Sequence, residues 1–201
     1  MARISSLRAA LLACLAVIAI GAHPAAAKGP ADLPAVYLTD AARLAETRAR
    51  VLAGDPALAP AVAALIELAD EAAKLPMVSI ADKPAVPPSG NRNDYVSLAP
   101  YWWPNPDTDD GLPYVRRDGR VNPERDLYDV NKLNNFGAAV RWSGFAYYFT
   151  GDERYAQEAV RRIRHFLIDP ETAMTPRMLY GQFIPGVNNG REIGLIETLR
   201  L

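Results

Sequence analysis

The sequence predicts an all-α fold, an incomplete α/α toroid of antiparallel helical hairpins with a long loop rich in aromatic residues and proline. Four segments place apolar residues at helical spacing, and Gly-Asp junctions at Gly54-Asp55 and Gly151-Asp152 join them in pairs. No strand-period hairpin is recognisable. Such short connections favour antiparallel hairpins, and repeated hairpins around an exposed loop suggest a ring of helix pairs.

The first predicted hairpin follows an exposed lead-in. Thr39 or Asp40 can cap a helix that runs to Ala53, after which a glycine stops it. Asp55 is expected to cap the second helix, with Pro56 in its first turn. The apolar stripe of this second helix consists of Leu58, Val62, Leu65, Ile66, Ala69 and Ala72.

The second predicted hairpin repeats this arrangement. Its first helix begins near Asp129 and runs to Phe149, with apolar residues at helical spacing. Gly151 ends that helix, and Asp152 caps the next one, which runs to about Leu167.

Between the hairpins, residues 76 to about 128 show no periodicity and contain many prolines. A stretch of this length inside a domain is uncommon unless it is functional or disordered, and its aromatic content argues against disorder. Nearby prolines hold Trp102 and Trp103 extended, directly after Tyr101. The tryptophan pair is expected to form a flat apolar wall that suits sugar rings. The alternative is that both indoles pack against the helical core.

The first 27 residues have the pattern of a secretory signal peptide. Arg3 and Arg8 are followed by an apolar run over 9–20, and small residues precede a predicted cleavage point after Ala27. The apolar run is short for a membrane span. We therefore expect a periplasmic or secreted protein with no stable membrane insertion once the signal is removed.

Composition excludes several function classes for the expected mature domain, residues 28–201. Half of the 201 residues are hydrophobic and the net charge is −1, which indicates a globular fold. No basic run with interleaved aromatic residues points to nucleic acid. The single cysteine, Cys14, lies in the signal, so no disulfide or cysteine metal site is expected. No cofactor or metal motif is present, and neither is predicted.

Residues 186–191 are the best candidate for binding a carboxylate. Asn188, Asn189 and Arg191 lie on a loop that contains two glycines. Arginine can bind a carboxylate through two parallel hydrogen bonds, and an asparagine amide can donate a further one. The alternative is a polar turn in which Asn189 adopts a left-handed conformation and Arg191 points into solvent.

Other candidate binding residues lie nearby in the sequence or in the long loop. Tyr180 and Gln182 would share one face of an extended backbone, where Gln182 could bind sugar hydroxyls or anchor a loop. Arg116 and Arg117 could hold an acidic ligand or belong to a surface turn. His165, on the last predicted helix, is interpreted as structural.

Several short stretches together carry a recognisable pattern: residues 94–104, 111–119, 122–124, 146–152, 155–156, 169–172, 180–182 and 189–194. In this order they resemble the N-terminal portion of the alginate lyase superfamily domain. Many ordered matches are far more specific than one short motif. The resemblance extends over roughly residues 35–201 and implies the same α/α toroid.

The resemblance implies a polysaccharide lyase whose partner is an acidic polysaccharide, alginate or a related polyuronate. Trp102 and Trp103 would stack sugars, and Asn189 and Arg191 would engage the carboxylate beside C5. Elimination also needs a base and an acid, a His and a Tyr in such lyases, and both are expected beyond Leu201. Residues 194–201 read as the start of another helix, so the chain is expected to be a truncated fragment that lacks the catalytic His and Tyr and is inactive alone. The alternatives are a glycoside hydrolase on the same toroid and a non-catalytic glycan-binding module.

Overall fold

Four α-helices form most of the regular structure in the computed structural model, which describes residues 36 and 39–191. They are α1 (Ala41–Leu52), α2 (Ala59–Ala73), α3 (Val130–Thr150) and α4 (Glu153–Ile163), and a π-helical turn (Arg164–Ile168) continues α4. In this described part, no helix is long and apolar enough to cross a membrane. The predicted signal peptide and the predicted helix at 194–201 lie outside the described residues.

The helix ends agree with the predicted caps, with one exception. Asp40 accepts a hydrogen bond from the Arg43 backbone N–H at the start of α1, and Asp152 caps α4 in the same way. Asp55 does not cap α2, so that prediction is wrong. Its carboxylate accepts from the backbone N–H of Ala57 and pairs with Arg50, and α2 begins only at Ala59. The Asp55 carboxylate therefore closes a separate turn ahead of the helix.

Helix α3 is the central element of the helical layer. Both α2 and α4 pack along it, whereas direct packing between α1 and α2 is slight, so the first predicted hairpin is looser than expected. The rings of Phe136 on α3 and Phe166 on the π-helical turn stack with centroids 4.3 Å apart. Around them lies the main hydrophobic core, which consists of Ile80, Tyr95, Leu133, Phe136, Phe166, Met174 and Met178.

The fold is rich in helix, as predicted, but it also contains short strands that the sequence did not indicate, three in the long loop and one after α4. β1 (Val96–Leu98) pairs in parallel with β4 (Tyr180–Phe183), and β2 (Trp102–Trp103) pairs antiparallel with β3 (Val115–Arg116). All residues of β1 are buried, including the polar Ser97, so burial does not alternate along this strand. Strands of two or three residues are also too short to produce a readable period.

A buried ion pair fixes the long loop to the helical layer. Lys83 Nζ donates to the carbonyls of Ile80 and Asp94, both at 2.8 Å, and to Asp129 Oδ2 at 2.7 Å. The same carboxylate oxygen accepts from the backbone N–H of Val96 in β1. Burial lowers the pKa of Lys83, and the hydrogen bond that Lys83 donates to Asp129 opposes that shift. The strand that positions the candidate site is therefore held by the first residues of α3.

Candidate functional site

The predicted site residues near the C-terminal side of the described chain lie on one hairpin, residues 180–191, which we call the site hairpin. Its arms are joined by the backbone hydrogen bonds Ile184 N–Asn188 O, 3.2 Å, and Arg191 N–Gly181 O, 2.7 Å. Tyr180 and Gln182 lie on the outgoing arm, and Asn189 and Arg191 on the returning arm. The fold thus brings together residues that the sequence analysis had treated as separate candidates.

A close backbone approach in the site hairpin requires glycine. Gly190 has φ +122°, and a Cβ added there would lie 2.6 Å from the Cα of Tyr180. The two arms can be this close only because residue 190 has no side chain. Gly190 is therefore a structural requirement of the site hairpin.

The aromatic segment forms a second element of the site, the Trp ribbon, made of β2 and β3. Residues next to the ribbon connect it to the site hairpin. Ala99 N, before β2, donates to Phe183 O, and Tyr114 N, before β3, donates to Pro185 O, both at 3.0 Å. Gly186 also packs directly on Pro113. The two regions that the sequence analysis selected are therefore neighbours.

The two indoles do not form one flat wall, so that prediction is wrong. Trp102 and Trp103 are consecutive residues of a strand, and consecutive side chains point to opposite faces. Trp103 donates its indole N–H to the Arg120 carbonyl at 2.9 Å, and the Arg117 guanidinium lies 5.5 Å from its ring centroid. Trp103 is thus engaged by its own ribbon, while Tyr101 is exposed.

The two arginines of the ribbon have different environments. Arg117 lies over the indole of Trp103, where a cation–π contact orients it. Arg116 is exposed and pairs with Asp118 at 2.7 Å across its own turn. An exposed pair of this kind contributes little stability, so an acidic ligand can replace Asp118 at small cost.

Tyr180 and Gln182 do not share one face of a regular strand, contrary to prediction. Val96 pairs with Tyr180, but Leu98 pairs with Phe183, so β4 contains one extra residue relative to β1. This bulge includes Gln182, whose φ is +56°. A bulge changes the direction of the side chain that it contains.

The polar residues of the returning arm differ in availability. The Asn188 side-chain oxygen accepts from the Gly190 backbone N–H at 3.0 Å, so the loop contains a polar turn, but Asn189 does not adopt the left-handed conformation that the alternative required. Asn189 and Arg191 are exposed. Within residues 39–191, neither side chain makes a hydrogen bond or ion pair with another described residue. Both can therefore bind a ligand without losing a hydrogen bond or an ion pair to the described part of the chain.

Sequence analysis missed a buried carboxylate that anchors the site hairpin. Asp94 is fully buried and receives two hydrogen bonds from Arg177, at 2.8 and 3.2 Å, and one from Ser89 at 2.6 Å. Burial by itself would raise the pKa of Asp94, but the hydrogen bonds from Arg177 and Ser89 outweigh it and hold the pKa below its usual value. Arg177 precedes the site hairpin by a few residues. The position of Asp94 beside a buried strand was the available signal.

A second missed pair lies beside the Trp ribbon. The Tyr114 hydroxyl donates to Glu124 Oε2 at 2.6 Å, and the Asn122 amide donates to the Trp102 carbonyl at 2.9 Å. Burial, together with the hydrogen bond to Glu124, raises the pKa of Tyr114. Tyr114 therefore stays protonated and acts as a hydrogen-bond donor that holds the ribbon in place.

The single histidine of the expected mature chain, His165, lies near the hydrophobic core. His165 is half-buried in the π-helical turn and lines a small cavity with Met77 and Phe136. That cavity contains no residue of the site hairpin. Among the residues described, no group of three or more His, Cys, Asp or Glu could hold a metal ion.

The chain resembles known proteins in both sequence and backbone. Residues 79–201, which include every candidate site residue, match the family described as Alginate lyase. An alginate lyase from Bacteroides ovatus, whose crystal structure is known, is 46% identical, with a TM-score of 0.74. The match covers 80% of this chain and 42% of that protein, so the chain spans less than half of its length. No curated protein matches the chain.

Proposed function

The chain belongs to the alginate lyase family, and we propose that it forms part of a polysaccharide lyase that cleaves alginate or a related polyuronate by β-elimination. One observation carries the proposal. The family match includes the site hairpin, where Asn189 and Arg191 present exposed side chains from the same arm, neither of them hydrogen-bonded or ion-paired to a described residue. A guanidinium and an amide so placed suit a sugar carboxylate.

The proposed reaction breaks the C5–H and C4–O bonds of a uronate and forms a C4=C5 double bond. A base takes the C5 proton, and an acid gives a proton to the departing glycosidic oxygen. Negative charge develops on the carboxylate beside C5 as the proton leaves. Asn189 and Arg191 would bind that carboxylate and stabilise the developing charge.

The other candidate residues would position the polymer. Tyr101 and Trp102 would contact sugar faces, whereas Trp103 would mainly hold Arg117, which lies over its ring. Arg116 and Arg117 would attract carboxylates of neighbouring sugars. Tyr180, Gln182 and Asn188 would position the reacting sugar.

The base and the acid are proposed to lie outside the described residues, and His165 is not assigned to either role. We also propose that the first 27 residues export the protein to the periplasm or the exterior. An exported lyase would meet its polymer outside the cytoplasm. Neither step requires a cofactor in the proposed chemistry.

Ultraviolet absorbance of the unsaturated product tests the proposal. The complete gene product that carries this sequence would be incubated with a panel of polyuronates, with a neutral glucan as control and this chain alone alongside. Absorbance that rises with a polyuronate and not with the glucan supports the lyase. New reducing ends without absorbance would indicate a hydrolase, and tryptophan quenching without any cleavage would indicate a binding module.

A further inference from the structure

Gln182 has a backbone conformation that its residue type disfavours. Among the described residues it is the only non-glycine residue with positive φ, at +56°. In this region the Cβ of an L-residue approaches the following carbonyl, and the conformation persists only where the surroundings enforce it. Glycine would avoid this cost, yet the position carries a long polar side chain.

Ser97 supplies the contact that enforces this conformation. Its Oγ accepts a hydrogen bond from the Gln182 backbone N–H at 2.8 Å, and Ser97 is fully buried in the middle of β1. The contact lies inside the bulge, between the Val96–Tyr180 and Leu98–Phe183 pairs. In a regular ladder a backbone group would fill this role, so the hydroxyl stabilises the irregular register.

The described residues leave the Gln182 side chain available to a ligand. It is half-buried, and its carboxamide makes no hydrogen bond with another residue of the described part. The adjacent residue, Gly181, accepts the backbone hydrogen bond of Arg191 at 2.7 Å, so Gln182 lies opposite the proposed carboxylate-binding arm. A carboxamide both donates and accepts, which suits a sugar hydroxyl better than a carboxylate.

We propose that Ser97 is a positioning residue that holds Gln182 in its left-handed conformation, so that the Gln182 carboxamide binds a hydroxyl of the uronate whose carboxylate meets Arg191. This inference rests on the proposed function and assigns one part of its substrate recognition. Gln182 is the residue that touches substrate, and Ser97 acts through it.

A double-mutant cycle on the complete gene product separates positioning from folding. The four proteins are the wild type, Ser97→Ala, Gln182→Gly and the double variant, each measured for kcat/KM on alginate and for thermal melting temperature. Ser143→Ala is the matched control, because Ser143 is a fully buried serine on α3 whose hydroxyl has no hydrogen-bond partner within the described residues. It should keep wild-type activity.

Activity and stability should respond differently in this cycle. Ser97→Ala should lower kcat/KM by about 10-fold in the wild-type background and hardly at all in Gln182→Gly, since coupled neighbours are non-additive. Its effect on melting temperature should be similar in both backgrounds, because the backbone N–H of residue 182 remains. Gln182→Gly should melt at a higher temperature than wild type and be less active.

Other outcomes would overturn the inference. Equal losses of kcat/KM from Ser97→Ala in both backgrounds would show a merely structural role, and a lower melting temperature for Gln182→Gly would show that no strain is present. If the wild type forms no unsaturated product, the lyase proposal fails instead. The same four proteins would then test the inference through their Kd for alginate, with the same non-additivity expected.

Discussion

Lys83 and Asp129 form an ion pair, with Nζ and Oδ2 2.7 Å apart, and both side chains are completely buried. Lys83 lies in the irregular segment, and Asp129 lies at the start of α3. Asp129 also binds the backbone of Val96 in β1, so this pair connects the helical layer to the strand beside the site hairpin. Removal of one partner leaves the other charge buried and unpaired.

Lys83→Met should therefore lower the free energy of unfolding by about 3–5 kcal/mol, the range for breaking one side of a buried ion pair. Chemical denaturation measures the change. Lys74→Met is the matched control, since Lys74 pairs with Glu71 on the surface, with the two side chains 69% and 64% exposed. It should change stability by less than about 0.5 kcal/mol. Equal effects of both substitutions would contradict the anchoring role of Lys83.

The buried carboxylate of Asp94 should make the fold sensitive to acid. Its pKa is lower in the folded protein than its usual value of 3.8. A group of this kind stabilises the fold fully above its unfolded pKa, and the contribution is lost as pH falls through the folded pKa. Asp94→Asn should lower the free energy of unfolding by about 2 kcal/mol at neutral pH. The variant should then lose less stability than the wild type as the pH falls below 3.8.

Urea unfolding as a function of pH tests this prediction. Asp118→Asn is the control, since Asp118 is an exposed partner of Arg116 in a surface turn. That variant should keep the wild-type pH dependence. If the free energy of unfolding of Asp94→Asn still falls with decreasing pH as steeply as that of the wild type, the acid sensitivity belongs to another carboxylate.

Substitutions in the returning arm of the site hairpin should lower activity without lowering stability. Asn189→Ala and Arg191→Ala should each lower kcat/KM by about 10²–10³, typical of removing a donor that stabilises developing charge. Both side chains are exposed and make no hydrogen bond or ion pair with described residues, so the free energy of unfolding should change by less than about 0.5 kcal/mol. Arg164→Ala, on the π-helical turn, is the arginine control. Full activity in either site variant would remove that residue from the proposed site.

The tight approach at Gly190 should make the site hairpin intolerant of a side chain. A Cβ there would lie 2.6 Å from backbone, whereas Gly119, also at positive φ, has open space around its added Cβ. Gly190→Ala should thus lower the free energy of unfolding by about 1–3 kcal/mol more than Gly119→Ala does, which is the usual penalty of overpacking. Calorimetry of the two variants gives this difference. Equal melting temperatures would show that the hairpin relaxes readily.

Helix positions were predictable because their signals are local. Asp40 and Asp152 cap the helices that the sequence indicated, and Gly151 adopts the left-handed conformation at the end of α3. Asp55 shows the limit of such signals, because the same Gly-Asp pattern closes a turn there. Capping chemistry identifies a turn of backbone, and tertiary packing decides whether a helix follows directly.

The geometry of the site depended on contacts distant in sequence. The pairing of β1 with β4 joins segments more than 80 residues apart, as the hydrogen bond between Gln182 and Ser97 shows with a separation of 85. Residue types alone identified Asn189 and Arg191 as candidates, since a carboxylate requires such donors. The opposite faces of Trp102 and Trp103, and the strain at Gln182, arise from strand pairing that leaves no periodic trace in so short a segment.

The mass balance of cleavage tests the central claim of β-elimination most directly. A purified oligouronate of defined length would be treated with the complete gene product, and the products weighed by mass spectrometry. Elimination adds no water, so the two product masses should sum to that of the substrate, with one product carrying the C4=C5 double bond. A sum that exceeds the substrate by one water molecule would show hydrolysis and contradict the proposed function.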